Sequence, residues 1–202
     1  MDKHRSKLLI PLLFTLAAAV GTLFVVEKIQ SKNTASTVPP AVNAQEPRLT
    51  SVISPNSKST LTMNEKKKQD TTLYSFLIKD LANNTQKEIF TATVPLTTTL
   101  SIPYNTFSPD NKYLFLKEEN SGQANYFVLA TSKETGTQDN KTLNISDMFA
   151  AKFTNFKITE VTGWGGPTLV VINTDKEDGS LGPSFWFDVS SHAFIQLSTR
   201  FN

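Results

Sequence analysis

The sequence predicts an all-β protein of about three four-stranded antiparallel meanders, set behind one N-terminal transmembrane helix. Three observations predict it. From Leu49 onward the chain runs as short apolar stretches rich in Thr, Val, Ile, Phe and Tyr, broken by polar turns, which is the spacing and composition of strands. Two Ser-Pro pairs, Ser54-Pro55 and Ser108-Pro109, stand 54 residues apart in matching surroundings. Ahead of them lies a single long apolar run, and no amphipathic stretch of helical length follows it.

That run, Leu8 to Val26, is 19 residues long, and only Thr15 and Thr22 in it are polar. As a helix it covers about 28 Å, close to the roughly 30 Å of a hydrocarbon core. Pro11 falls in the first turn, where its missing N–H costs no helical hydrogen bond. Lys3, Arg5 and Lys7 precede the run, and Glu27, Lys28 and Lys32 follow it. The positive-inside tendency then places residues 1–7 in the cytoplasm and everything after Val26 outside. A cleaved signal peptide is the alternative. Against it, the run exceeds the roughly 7 to 15 residues of such a core, and Glu27-Lys28 stand where small residues belong. Val42-x-Ala44 before Gln45 does form a small-x-small site, far downstream. Residues 27–48 mix Ser, Thr, Asn, Ala and Gln with Pro39, Pro40 and Pro47, a composition that cannot bury enough surface to fold. They read as a flexible tether. Residues 49–202 are then an extracytoplasmic domain on a single-pass protein of the cell membrane.

Within that domain the strands recur in groups. The first group holds Leu49–Ile53, Thr60–Met63, Leu73–Ile78 and Lys87–Thr91, with a polar hairpin at Asn64–Asp70. The second holds Leu100–Phe107, Tyr113–Lys117, Asn125–Thr131 and a short strand near Leu143. A turn or two of helix is expected at Ser146–Lys152, with Ser146 as its cap and Asp147 suited to its first turn. The third holds Ile158–Trp164, Leu169–Asn173, Phe185–Val189 and Phe194–Leu197. Trp164 stands where Phe107 and Ile53 stand in the other two.

The stretch Phe107-Ser108-Pro109-Asp110-Asn111-Lys112-Tyr113-Leu114-Phe115-Leu116 resembles the hydrophobic-Ser-Pro-Asp-Gly-Lys motif of WD40-like β-propeller repeats. Those repeats build the TolB propeller and the N-terminal propellers of dipeptidyl peptidases. Phe185-Trp186-Phe187-Asp188-Val189 followed by Ser190-Ser191-His192, and Tyr74 to Leu81, resemble the third strand and exit turn of the same blade. Ser57 and Asn111 replace the turn glycine, and the third unit has no Ser-Pro. The resemblance implies a propeller-like fold, with Pro presetting the first turn and Asp or Asn accepting backbone hydrogen bonds in it. Closed propellers have about 4 to 8 blades, so three units need completion by a second copy, by another protein, or by a different closure such as a sandwich or barrel.

Chemistry-bearing residues are sparse. With no Cys, disulfides, thiol catalysis, Cys-based metal sites and lipobox lipidation are excluded, and the absence leans towards a bacterial envelope. His192 is the one His outside the N-terminal stub. Its neighbours Ser190, Ser191 and Asp188 share its strand end, whereas a triad draws on separate elements. The loop Asn173–Gly179 spaces oxygen ligands alternately but misses the calcium-loop pattern, since Gly179 is seventh and Lys176 intervenes. Residues 1–34 carry a net +3 and the remainder −1, so no nucleic-acid footprint exists, and Lys66-Lys67-Lys68 reads as a solubilising hairpin tip. No cofactor or metal is expected.

The expectation is a non-enzymatic binding or scaffolding module that meets a protein partner or a second copy, with Trp164, Trp186, Tyr104, Tyr126, Asp175 and Asp178 as candidate contact residues. The alternative is an envelope hydrolase or carbohydrate-active accessory, using Asp110, Asp175, Asp178, Asp188 and Trp164.

Overall fold

The computed structural model describes residues 46–132 and 142–197. The expected stub at 1–7, the span at 8–26 and the tether up to residue 45 lie outside the described residues. Among the described residues no helix is long and apolar enough to cross a membrane.

Twelve strands form three separate four-stranded sheets there, each a meander in chain order. The first sheet is β1 (Arg48–Ile53), β2 (Ser59–Lys67), β3 (Thr71–Asp80) and β4 (Thr85–Pro95). The second is β5 (Thr98–Ser101), β6 (Tyr113–Asn120), β7 (Gln123–Ala130) and β8 (Leu143–Asn144). After a helix, α1 (Ile145–Lys152), the third is β9 (Phe156–Trp164), β10 (Leu169–Lys176), β11 (Leu181–Asp188) and β12 (Ala193–Gln196). The described residues are therefore all-β in three units. They form three sheets rather than the two of a sandwich, and each is open at both edges rather than closed into a barrel.

Alternation along the strands explains how the sheets stack. In β6, Leu114 and Leu116 pack with Leu61, Met63 and Phe76 of the first sheet. Phe115 between them points the other way, joining Val170, Ile172, Phe185 and Phe187 of the third. The unbroken apolar run Leu114-Phe115-Leu116 is the signature of a sheet buried on both faces. β3, covered on one face, alternates instead: Tyr74 and Phe76 are buried, Ser75 and Leu77 half-exposed. Tyrosines join the layers at the edges. The Tyr74 hydroxyl is turned to the backbone N–H of Leu100 on edge strand β5, and the Tyr126 hydroxyl to that of Val161 on edge strand β9. Burial pushes both phenols above their ordinary range.

The turn that opens the second strand is the same object in the first two units. Ser54 N donates to Ser59 O at 2.8 Å, and Ser108 N to Tyr113 O at 2.9 Å. The Ser hydroxyl donates to Asn56 Oδ1 at 2.9 Å in one and to Asp110 Oδ1 at 2.8 Å in the other. It also accepts from the N–H of Ser59 or Tyr113, at 3.0 Å in both. In the third unit Gly165 N donates to Leu169 O, a turn one residue shorter. A further hydrogen bond recurs in all three, from the residue just past the third strand to the carbonyl just before the second: Leu81 to Lys58, Thr131 to Lys112 and Val189 to Thr168, at 2.8 to 2.9 Å.

Several elements differ from the sequence expectation. The first strand of the second unit, expected over Leu100–Phe107, is broken. β5 ends at Ser101 and pairing resumes only at a bridge from Phe107 to Leu114, since Pro103 has no N–H to give and Asn105 sits at φ 55°. β2 and β3 run on to Lys67 and Thr71, so the expected Asn64–Asp70 hairpin shrinks to its tip. The third unit's hairpin, expected over Asp175–Pro183, also shortens, because Gly182 and Pro183 fold into β11 as a bulge opposite Thr174, whose hydroxyl donates to Pro183 O at 2.6 Å. A Cβ on Gly182 would lie 2.5 Å from Thr174 Oγ1 and 2.9 Å from Thr174 O. The helix is capped by Asn144, whose Oδ1 accepts from Asp147 N at 3.0 Å, and not by Ser146. The Ser146 hydroxyl instead accepts from Tyr126 N, standing in for the carbonyl that the two-residue β8 does not provide.

Candidate functional site

The sheets meet at one end in a depression of about 420 Å³. The first sheet gives it Pro55, the second gives Asn105, Phe107 and Pro109, and the third gives Gly163 and Trp164. Its floor is pinned through Thr106. The Thr106 carbonyl accepts from Phe115 N and from Trp164 Nε1, both at 3.0 Å, and its hydroxyl donates back to Phe115 O at 2.5 Å. Trp164 stacks on Tyr113 with ring centroids 6.4 Å apart. Two unusual backbones approach here, Asn105 at φ 55° and Gly163 at φ 145°, and a Cβ on Gly163 would come within 3.1 Å of Asn105 Cβ. The result is a short rigid loop that holds Tyr104 outward, 88% exposed.

The sequence-predicted contact residues separate. Tyr104 and Trp164 lie at this depression or on the loop beside it. Trp186 does not line the depression itself; it is half-buried in the third sheet and pairs across strands with Val171, which does. Tyr126, 4% exposed, is buried between the second and third sheets and offers no surface contact; its period-2 position in Asn125–Thr131, facing the same way as Val128, is the signal for that. Asp178 is on the β10–β11 hairpin, and Asp175 in β10 next to it.

The acidic residues are turn acceptors. Asp110 accepts from the Ser108 hydroxyl and Lys112 N, with Lys112 Nζ 3.4 Å away. Asp178 accepts from the N–H and hydroxyl of Ser180. Asp188 accepts from the N–H and hydroxyl of Ser190 and from the Ser191 hydroxyl. For Asp110 and Asp188 burial alone would raise the carboxyl. The hydroxyls and N–H groups around them outweigh it and hold both below the ordinary range. Asp178 is lowered by Ser180. A general acid needs the opposite shift. Among the described residues no three Asp, Glu or His side chains gather in a way that could hold a metal.

His192 is also a turn residue. Its N–H donates to Asp188 O, its φ is 59° and its ring lies over Phe187. Ser190 and Ser191 direct their hydroxyls to Asp188, so neither is activated by the imidazole. A second depression, about 650 Å³ between the β6–β7 hairpin, α1 and the start of β9, has Asp147 as its one acid, and Asn144 Nδ2 already donates to it at 2.6 Å.

No protein-family model matches the chain, and no curated protein matches it. Among solved structures it is similar to the isopeptidase AtxE2 in its apo form, with a TM-score of 0.48 and 8% identity. That likeness covers 73% of this chain but 28% of the isopeptidase, so the chain spans under a third of that protein's length.

Proposed function

We propose that the chain is a single-pass membrane protein whose extracytoplasmic domain, three WD40-like propeller blades in an open stack, is a binding or scaffolding module without catalytic activity. The observation that carries this reading is the division of labour among its polar and aromatic groups. Three of the carboxylates that a hydrolase would bring into one cleft, Asp110, Asp178 and Asp188, each accept hydrogen bonds within their own turn. Tyr104 is instead held out by a pinned loop over a depression to which all three units contribute.

The partner is a different protein. Equivalent positions across the repeat support this. Those that face the preceding sheet are apolar in the second and third units: Leu114, Leu116 and Leu129, then Val170, Ile172 and Phe187. In the first unit they are Thr60, Thr62 and Lys79. Those three share their face with Leu49, Ile53 and Leu77, and a head-to-tail ring with a second copy would bury that lysine among them.

The test is to purify the full chain from membranes with its partner, then compare Tyr104→Ala. The expected result is a stoichiometric complex that the variant loses, with thermal unfolding unchanged because Tyr104 is exposed. A chain that purifies without any specific partner contradicts the proposal.

A further inference from the structure

The proposed function rests on contacts made by loops far from the tether; the opposite end of the first sheet has its own chemistry. β1 begins at Arg48, and Arg48 pairs directly with Glu65. The strand end where the chain comes out of the tether is therefore the end that carries the β2–β3 tip, with Lys66, Lys67 and Lys68 all exposed. Pairing of Thr71 with Pro95 puts the β4–β5 turn there too. Leu96 in that turn is 52% exposed, and it lines one depression together with Lys67 and Lys68. Leu49, one residue into β1, is 65% exposed.

From the sequence these lysines are a solubilising tip. The structure adds two things that a solubilising tip does not need: an exposed leucine, Leu96, that lines one depression with Lys67, Lys68 and Glu65, and a position at the mouth of the tether. Arg48 and Glu65 offset each other across the strand pair, so the tip itself sets three lysines against Asp70. Basic side chains around exposed aliphatic ones are the composition that lies in a membrane interface, the ammonium groups at lipid phosphates and the leucines at the acyl boundary.

We infer that this end of the domain docks on the anionic lipid surface of the membrane that holds the anchor, through Lys66, Lys67, Lys68 and Leu96. The inference rests on the reading of residues 8–26 as an anchor. The tether makes weak attraction sufficient. Each lysine near an anionic surface adds a small attraction, too little for capture from solution, but joining the tip to the anchor through the stretch read from the sequence as a tether raises its effective concentration at the surface. Docked this way, the domain turns the Tyr104 end away from the bilayer, because Pro55 and Asn56 lie at the other end of β1 and β2.

The experiment uses the absence of cysteine. Full-length protein carrying Gln69→Cys at the tip, or Thr15→Cys in the apolar run, is labelled with a polarity-sensitive dye. It is then reconstituted into phosphatidylcholine vesicles with or without phosphatidylglycerol. The expected result is a Gln69 label shielded several-fold from an aqueous quencher in the anionic vesicles alone. About 1 M salt, where the Debye length falls to about 3 Å, abolishes the shielding, as does Lys66→Glu/Lys67→Glu/Lys68→Glu. Equal quenching in both vesicle types overturns the inference, and so does equal shielding in both, which would be apolar contact alone. The Thr15 label reads the anchor separately. If it enters lipid while the Gln69 label does not, surface docking fails and the anchor stands; if it stays in water, the anchor reading fails whatever Gln69 reports.

Discussion

Ser57 and Asn111 hold φ values of 57° and 60°, in the region where a side chain costs about 1 kcal/mol or more relative to glycine. Both stand where the repeat motif has its turn glycine, and Ser57 N and Asn111 N close the turn onto Ser54 O and Ser108 O. Ser57→Gly is therefore expected to raise the thermal midpoint, by about 0.5–1 kcal/mol of stability; a fall, read by calorimetry, would mean that the side chain has a contact the turn geometry does not show. Gly182 is the reverse case. Ala there pushes into the Thr174 backbone and is expected to destabilise by about 1–3 kcal/mol, so a silent Gly182→Ala in chemical denaturation would contradict the bulge. The turn carboxylates set an acid limit. Asp110 and Asp188 have lowered folded-state pKa values. Their stabilisation is present above the unfolded value of about 3.9 and is lost as pH falls through the folded one. The midpoint is expected to be insensitive to these groups near neutrality and to drop below about pH 4, with Asp188→Asn showing a smaller acid-limb drop than the parent. Equal acid limbs would contradict the assignment.

Within an element, the legible part of the sequence is the part fixed by period and by turn chemistry. The alternation in Leu73–Ile78, the Ser-Pro turns and the exit turn at Asp188 all name their local structure, because a side chain's direction in a strand follows from its neighbours. Asp80 and Asp188 even build the same turn, with Asn84 and His192 at matching left-handed positions. What stayed illegible depends on contacts distant in sequence. Pro103 marks the break in the first strand of the second unit, but the contact that pins the chain beyond it, Trp164 donating to the Thr106 carbonyl, comes from 58 residues on. The cap at Asn144 follows from Tyr126 claiming the Ser146 hydroxyl. Alternation puts Tyr126 on the same face as Val128, but that this face is covered follows from the third sheet closing over it. Trp164→Phe keeps the ring packing and removes one hydrogen bond, so it is expected to cost about 1 kcal/mol. Phe187→Ala, which opens a cavity in the fully buried cluster with Phe115 and Phe185, is expected to cost about 3–5 kcal/mol. Urea unfolding that ranks them the other way would mean that the Thr106 carbonyl, not the apolar cluster, holds the second and third units together.

For the whole molecule, three sheets suffice only if the outer faces are tolerable in water. Ile53, 61% exposed, marks the first unit as the end of the stack, since its counterpart Phe107 is 5% exposed against the preceding sheet. Restoring the inner pattern there, with Thr60→Leu, Thr62→Ile and Lys79→Phe together, is expected to turn a single chain in detergent into a self-associating one, as read by light scattering. If the triple variant keeps the mass of the parent, those three polar residues are not what ends the stack. The location of this body is the claim from which binding, docking and orientation all follow. Because the chain has no cysteine, Ser180→Cys on the exposed β10–β11 hairpin gives the most direct measurement: labelling of intact cells with a membrane-impermeant maleimide. The account predicts that Ser180→Cys is labelled without breaking the cells. Labelling that requires lysis would place the domain in the cytosol and contradict it.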